Sequence, residues 1–232
     1  MKTASLLSIG SDAKTVKGES LGWRTAILYL APAREAGRGN VCSHASAGCL
    51  ASCLYKAGRG AFSNVQRSRI NKTLRFFDQP KEFKAQLVDE IKAFIASSQH
   101  TGLAACVRLN GTSDIPWELL GIPQLFPADV PFYDYTKNPR RAIAHAKREL
   151  PSNYHLTFSR SECNDADALQ VLKAGGNVAV VFSGDLPATW QGYPVIDGDL
   201  SDLRFLDPRG SVVGLRAKGP AKRDTSGFVV QS

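Results

Sequence analysis

Apolar and polar positions along the chain fall into short blocks of two kinds. Trp23 to Leu30 is a nearly continuous apolar run, stopped by Pro32 and the Gly37-Arg38-Gly39 turn signal, and it predicts a buried strand. From Pro80 to Ser97 the period changes. Phe83, Leu87, Ile91 and Ile95 recur every four positions, Val88 and Phe94 widen the stripe, and Lys and Glu fill the other face. This spacing predicts an amphipathic helix with proline near its start. Strand-like runs follow at Leu103 to Leu109, Val130 to Tyr135, Tyr154 to Phe158, Asn177 to Phe182 and Tyr193 to Ile196. Helix-capable segments lie between several of them, at Pro139 to Leu150 and at Asp165 to Ala174, the latter opened by Asn164 as a cap. Ser211 to Ala217 reads as a closing strand, and the basic stretch Lys218 to Arg223 as a flexible tail.

Alternation of strand and helix implies parallel strands joined by right-handed crossovers, either in an open doubly wound sheet or in a β/α barrel. The expectation is a single α/β domain over residues 1–232, built as a partial, TIM-like β/α barrel with a cysteine-rich loop after its first strand. In either fold, ligands gather at the carboxyl ends of the strands. Those ends carry chemistry in five places: the cysteine loop, Asn110 to Asp114, Asp134 to Lys137, Ser159 to Cys163, and Asp197 to Asp199.

The cysteine loop is the sharpest of the five. Cys42, Cys49 and Cys53 are separated by six and three residues, on a stretch of Ala, Ser and Gly, in a chain of 232 residues with only five cysteines. Thiolates are soft ligands that select iron-sulfur clusters, zinc or copper(I). Zinc knuckles usually begin with a gap of about two to four residues, so the wide first gap suits a 4Fe-4S cluster better, with three cysteines on three irons. Zinc completed by His44, and thiols with no metal role, stay open as alternatives. Cys163, in a polar stretch just past a strand end, is the candidate fourth ligand; His44 is the local alternative, and an external ligand or solvent is a third. Cys106, among Leu103, Ala104, Ala105 and Val107, reads as a buried small hydrophobe.

Composition narrows the context. The odd cysteine number, with no secretory pattern in Met1 to Gly10 and no stretch near the roughly 20 apolar residues of a membrane span, points to a reducing, cytoplasmic setting without a membrane role. A formal net charge of +8, spread over Arg67 to Arg75, Lys137 to Arg148 and Arg216 to Arg223, admits a polyanionic partner such as nucleic acid. Phe76, Phe77, Tyr133 and Tyr135 are the aromatic residues that could stack on bases, against a core role. Asn110, Thr112, Ser159 and Ser161 are candidates to line a cofactor pocket; capping of turns and helices is their alternative use. Asp134 and Lys137 read as a polar site or a solvated salt bridge, and Asp197-Gly198-Asp199 as a turn rather than a cation site. No P-loop, Rossmann fingerprint, zincin helix or serine triad is present, so catalytic residues stay unassigned.

The residues Cys42 through Cys53, Ala57 to Gly60, Arg108 to Asp114 with Trp117 and Glu118, Phe132 to Lys137 and Phe158 to Glu162 together resemble the phage and prophage proteins called gene product 88. The resemblance spans most of the chain and implies a viral origin and a place in the cytoplasm of the bacterial host. A looser resemblance, in order of elements, is to radical S-adenosylmethionine enzymes, which carry three cluster cysteines on the loop after the first strand of a partial β/α barrel. Their usual gaps are three and two residues, where this chain has six and three. The combined expectation is a phage-encoded iron-sulfur protein with a redox or radical-type cofactor role, S-adenosylmethionine being the external ligand if one iron is open. The alternative is a nucleic-acid-binding phage protein with a structural cluster or zinc.

Overall fold

The computed structural model describes residues 4–10 and 13–232, so the first three residues of the Met1 to Gly10 opening lie outside the description. Ten strands form a single mostly parallel sheet. They are β1 (Leu7–Ile9), β2 (Trp23–Leu28), β3 (Ala104–Arg108), β4 (Phe132–Thr136), β5 (Tyr154–Ser159), β6 (Asn177–Phe182), β7 (Thr189–Trp190), β8 (Tyr193–Asp197), β9 (Val212–Arg216) and β10 (Val229–Val230). The order is β1-β2-β3-β4-β5-β6-β9-β8-β7, with β10 also on β6. Among the described strands, only β1 against β2 and β7 against β8 run antiparallel.

The helices are α1 (Ala13–Glu19), α2 (Ala47–Ala51), α3 (Ser63–Asp78), α4 (Pro80–His100), α5 (Pro139–Ala146) and α6 (Asp165–Lys173). Because β2 to β6 follow one another across the sheet in chain order, right-handed crossovers lay their connecting helices on one face. The packing agrees. Phe83, Leu87, Ile91 and Phe94 of α4 bury against Leu28, Val107 and Phe132, while Ala142 of α5 and Val171 and Leu172 of α6 pack on Phe158, Val178 and Val180. Alternation along each strand sends Cys106 and Tyr133 to the opposite face, where Leu203, Trp23 and Phe205 meet them. In α4 the buried stripe ends on Phe94 and Ser98, with Ile95 only partly buried, as a 3.6-residue period drifts away from a strict four.

Several expectations shift. The apolar run at Trp23 is the second strand in chain order, because β1 pairs with it along the edge; the cysteine loop therefore follows the first parallel strand, not the first strand. The sheet path has two ends, so the described strands do not close on themselves. Val212 to Arg216 does not close an edge either; β9 lies between β6 and β8. The basic stretch after it is not a loose tail. Gly219–Arg223 forms a 3-10 turn with Ala221 buried, and β10 pairs with Val181 and Phe182. A strand has two edges, and β9 takes one along residues 178–182, so β10 takes over the edge that β5 leaves after Ala179.

Beneath the carboxyl ends of β3 to β5 lies a buried polar network. Asn110 Oδ1 accepts from Ser113 Oγ, the Ile115 N–H and Trp117 Nε1, and its Nδ2 donates to Ile115 O and Asp134 Oδ2. Arg141, from α5, donates to both carboxylate oxygens of Glu118 at 2.6 and 2.8 Å, to Asp114 Oδ1 at 2.6 Å and to Tyr154 Oη at 3.2 Å. Removing one partner of a buried ion pair strands the others, at a cost of about 3–5 kcal/mol. Arg141→Leu is expected to lower unfolding free energy by about that much in urea melts, because Asp114 and Glu118 lose their cation; a loss below about 1 kcal/mol would show the network to be dispensable.

The carboxyl of Asp134 is fully buried and pushed up to about 7 by burial, although the Asn110 N–H and Tyr154 hydroxyl hydrogen bonds oppose the shift. An acid raised above its unfolded value near 3.8 holds its proton in the native state while the unfolded chain has lost it. Stability therefore falls as pH rises from about 4 to about 7 and flattens above, by up to the order of 4 kcal/mol. Asp134→Asn is expected to remove that slope in melts taken across this range.

Candidate functional site

The carboxyl ends of β2, β3, β4, β5, β6 and β9 open into a cavity of about 1210 Å³. Cys42, Cys49 and Cys53 line one side of it, together with Asn110, Thr112, Asp114, Lys137 and Ser159. The three thiols thus border one space, which they reach from the loop after β2.

That loop is held by a small set of contacts. Ser46 caps α2, its hydroxyl accepting the Cys49 N–H at 3.2 Å. Glu162, just past β5, accepts from Ser46 Oγ and from the Gly48 N–H, both at 2.8 Å. Gly48 has no room for a side chain: an added Cβ would lie 2.3 Å from Ser226 Oγ, 2.7 Å from Glu162 Oε2 and 2.8 Å from Phe228 Cβ. Phe228 is placed by Arg160, which donates to the carbonyls of Gly227 and Phe228 and pairs with Asp165. The C-terminal segment thereby closes over Cys49, which packs with Phe228, Ala221 and Ala217.

The electrostatics of the thiols follow from burial. Cys42 is pushed up to about 12 by burial, with Cys53 and Cys49 adding to the rise and the Ala33 backbone hydrogen bond opposing it. Burial likewise raises Cys49 and Cys53; Lys137 opposes the first, and the Tyr55 backbone bond, Arg69 and Lys56 oppose the second. Lys137 is itself lowered by burial, against the pull of Cys49, Asp114, Glu162 and Cys163. Its Nζ donates to Ser159 Oγ at 2.8 Å and to the Ser159 and Arg160 carbonyls, and its N–H to Asp114 Oδ2 at 2.8 Å. Lys137 pulls Cys49 toward the thiolate, the form that binds metal, but burial outweighs it and the thiol is raised on balance.

Cys163 does not join the three. It is exposed and lines a smaller neighbouring hollow of about 430 Å³ with His44, Ser161 and Asp167; Lys137 borders both spaces. Its sulfur lies 3.6 Å from Ser161 Oγ. His44 is exposed, with Nδ1 at 2.9 Å from Ser43 Oγ. Cys106 is buried 3.2 Å from Thr25 Oγ1 and lines neither space. Among the described residues, no three His, Cys, Asp or Glu side chains are gathered closely enough to hold one metal ion.

The four polar cofactor candidates divide. Ser159 and Thr112 line the cavity, although Thr112 Oγ1 donates to Leu30 O at 2.5 Å. Asn110 borders it with its amide committed to the network. Ser161 faces the smaller hollow. Gly111 serves the fold: an added Cβ there would meet the Tyr29 ring at 2.5 Å. Asp134 and Lys137 do not pair, because Asp134 is absorbed by Asn110 and Tyr154 while Lys137 reaches Ser159. Asp197 and Asp199 are a turn engaged by Arg216 and Lys218. Of the four aromatic residues considered for base stacking, Phe76 packs with Phe77, Phe83 and Trp117, Tyr133 is buried, and Tyr135 lines the cavity.

Glu162 and Arg160 are the positioning residues that strand-end location alone could not single out, since each acts on a segment more than sixty residues away. Gly48→Ala is expected to cost about 1–3 kcal/mol through overpacking and to speed reaction of Cys49 with a thiol reagent. Unchanged stability and thiol reactivity would show that the Glu162 clamp does not set the loop.

A family model described as Gene product 88 matches residues 5–232 of the chain. No curated protein and no solved structure matches it.

Proposed function

The chain belongs to the gene product 88 family, and we propose that it is a phage-encoded iron-sulfur protein whose Cys42, Cys49 and Cys53 hold a 4Fe-4S cluster at the carboxyl ends of a partial β/α barrel. One observation carries the reading: three partly buried thiols line a single cavity with Lys137 and Arg69 set against them. One-sided placement of α4, α5 and α6 on strands in sequential order is the layout expected of a partial barrel. When bound, a cluster supplies one-electron redox chemistry or, through an iron without a protein ligand, a binding position for an external molecule.

The donor set favours a cluster over zinc. A single zinc ion needs four ligands at about 2.0–2.3 Å around one point, whereas thiolates on a cluster are spread over several irons. Three cysteines on one cavity, with Cys163 in the adjoining hollow, favour three-cysteine ligation; S-adenosylmethionine is then a candidate for the open iron.

Each neighbouring residue has a definite part. Glu162 and Ser46 fix the loop from which Cys49 projects. Lys137 and Arg69 offset the negative charge of the thiolates, and Phe228 with Ala221 shields Cys49 from water. A buried anionic centre needs such compensation, because an unpaired buried charge costs several kcal/mol.

The test is iron and acid-labile sulfide analysis with electron paramagnetic resonance on anaerobically purified protein. Wild type, Cys163→Ser and Cys106→Ser are expected to carry equal iron and sulfide, and Cys49→Ser to lose the brown chromophore and melt lower. Zinc without sulfide in wild type would overturn the reading. Cluster loss, or conversion to a three-iron form, in Cys163→Ser would replace three-cysteine ligation by a closed, four-cysteine site.

A further inference from the structure

The cavity is larger than the cysteine corner requires, and its other walls carry a consistent charge. Among its described lining residues are seven basic side chains against three acidic ones, Asp114, Asp199 and Asp202. All three carboxylates are engaged. Asp114 pairs with Arg141, Asp202 with Arg108 at 2.8 Å, and Asp199 with Lys218 at 2.6 Å. Among the described lining residues the balance is positive, although Arg108, Arg216 and Lys218 are themselves paired with carboxylates.

Two of the cations are held as rigid forks. The Arg69 guanidinium, on the buried face of α3, stands 4.5 Å from the Tyr29 ring centre and 5.8 Å from that of Tyr55. The Arg108 guanidinium stands 5.0 Å from the Tyr135 ring centre while its Nη1 donates to Asp202, and its Nε has no hydrogen-bond partner among the described residues. Stacking on aromatic faces fixes the plane of a guanidinium, so less rotamer entropy is lost when its N–H groups meet an oxyanion. Lys72 lies beside Arg69 on α3, its Nζ on Leu6 O at 2.7 Å, and Arg216 and Lys218 close the far rim.

We propose that the basic wall of this cavity, running from Arg69 beside the cysteine loop to Arg108 on β3, forms a binding site for a phosphorylated small molecule, with Arg69 and Arg108 as preformed forks for its phosphate oxygens and Lys72 and Arg216 as supporting charges. Phosphate fits better than carboxylate because three charged oxygens can take donors from several directions at once, whereas a carboxylate saturates on one fork. The enclosure suits a small molecule: typical ligand pockets span about 300–1,000 Å³, and this one, at about 1210 Å³, leaves further space beside the cysteines. The inference concerns these walls and stands with or without a cluster.

The experiment is calorimetric titration of the full-length protein at near-physiological salt with inorganic pyrophosphate and AMP, then with citrate and a dT15 oligonucleotide, iron and sulfide being measured on the same samples. Saturable one-to-one binding of pyrophosphate or AMP is expected, weakened roughly tenfold or more in Arg69→Gln and to a smaller degree in Arg216→Gln. Arg216 is exposed, so its variant keeps the question answerable should Arg69→Gln fail to fold. No saturable binding, equal binding of citrate, binding unmoved by both substitutions, or binding of the oligonucleotide alone would each overturn the proposal. Binding that depends on Arg69 in protein without iron or sulfide would uphold it while removing the cluster; iron-loaded protein that ignores both phosphates would do the reverse.

Discussion

The buried network centred on Asn110 and Arg141 is the constraint on which the rest depends. It joins the loop after β3 to the first turn of α5 and to Tyr154 on β5, with three carboxylates and one guanidinium taken out of water together. Such groups tolerate no slack, because any separation leaves an uncompensated charge in a low-dielectric interior. Asp114 shows how the constraint is passed on. One of its oxygens binds Arg141 and the other accepts the Lys137 N–H, so the same carboxylate anchors the network and presents the lysine that faces Cys49.

From that base the division of the molecule follows. Sequential parallel strands oblige the crossover helices to one face, and the apolar residues of α4, α5 and α6 make that face the core. The other face is left with Arg108, Tyr135, Thr157, Ser159 and the cysteine loop as its furnishings. An irregular loop can lie over strand ends only if its backbone groups are satisfied. Here Glu162 and Ser46 supply that satisfaction, and Gly48 permits the close approach of the C-terminal segment. Cys49 is partly covered by Phe228, more than a hundred and seventy residues downstream, while Cys42 packs against the helix-side core, which makes their environment a property of the whole fold.

The strands with long apolar runs were legible from the chain: β6 has the limits the pattern predicts, and β2, β3, β4, β5 and β8 differ by a residue or a few at their ends. The elements that were not legible have no local signal. β1 is three residues long and is pinned by Glu90 of α4, which accepts the Leu6 and Leu7 N–H groups. α3 is a sixteen-residue helix whose buried positions are Arg69 and Thr73 instead of an apolar stripe. Thr73 docks it by accepting the Ala31 N–H at 2.9 Å. The two-residue strands β7 and β10 exist only through their partners. The segment Arg108 to Asp114 was legible as a polar turn, but its residues serve the fold more than a ligand, because their hydrogen bonds are spent on one another and on Arg141.

By itself the sequence determined the class of fold, through the alternation of two periodicities, and the soft-donor character of the loop, through the chemistry of Cys42, Cys49 and Cys53. Both are local properties, written in side-chain type and spacing. Only the tertiary structure decided which cysteines share a space, that Cys163 stands in the next hollow, that β9 enters between β6 and β8, and that Arg69 and Arg108 face the same cavity from α3 and β3. These are juxtapositions of segments far apart in the chain. They are set by crossover handedness and by where buried charges find partners, and neither can be read from a window of neighbouring residues.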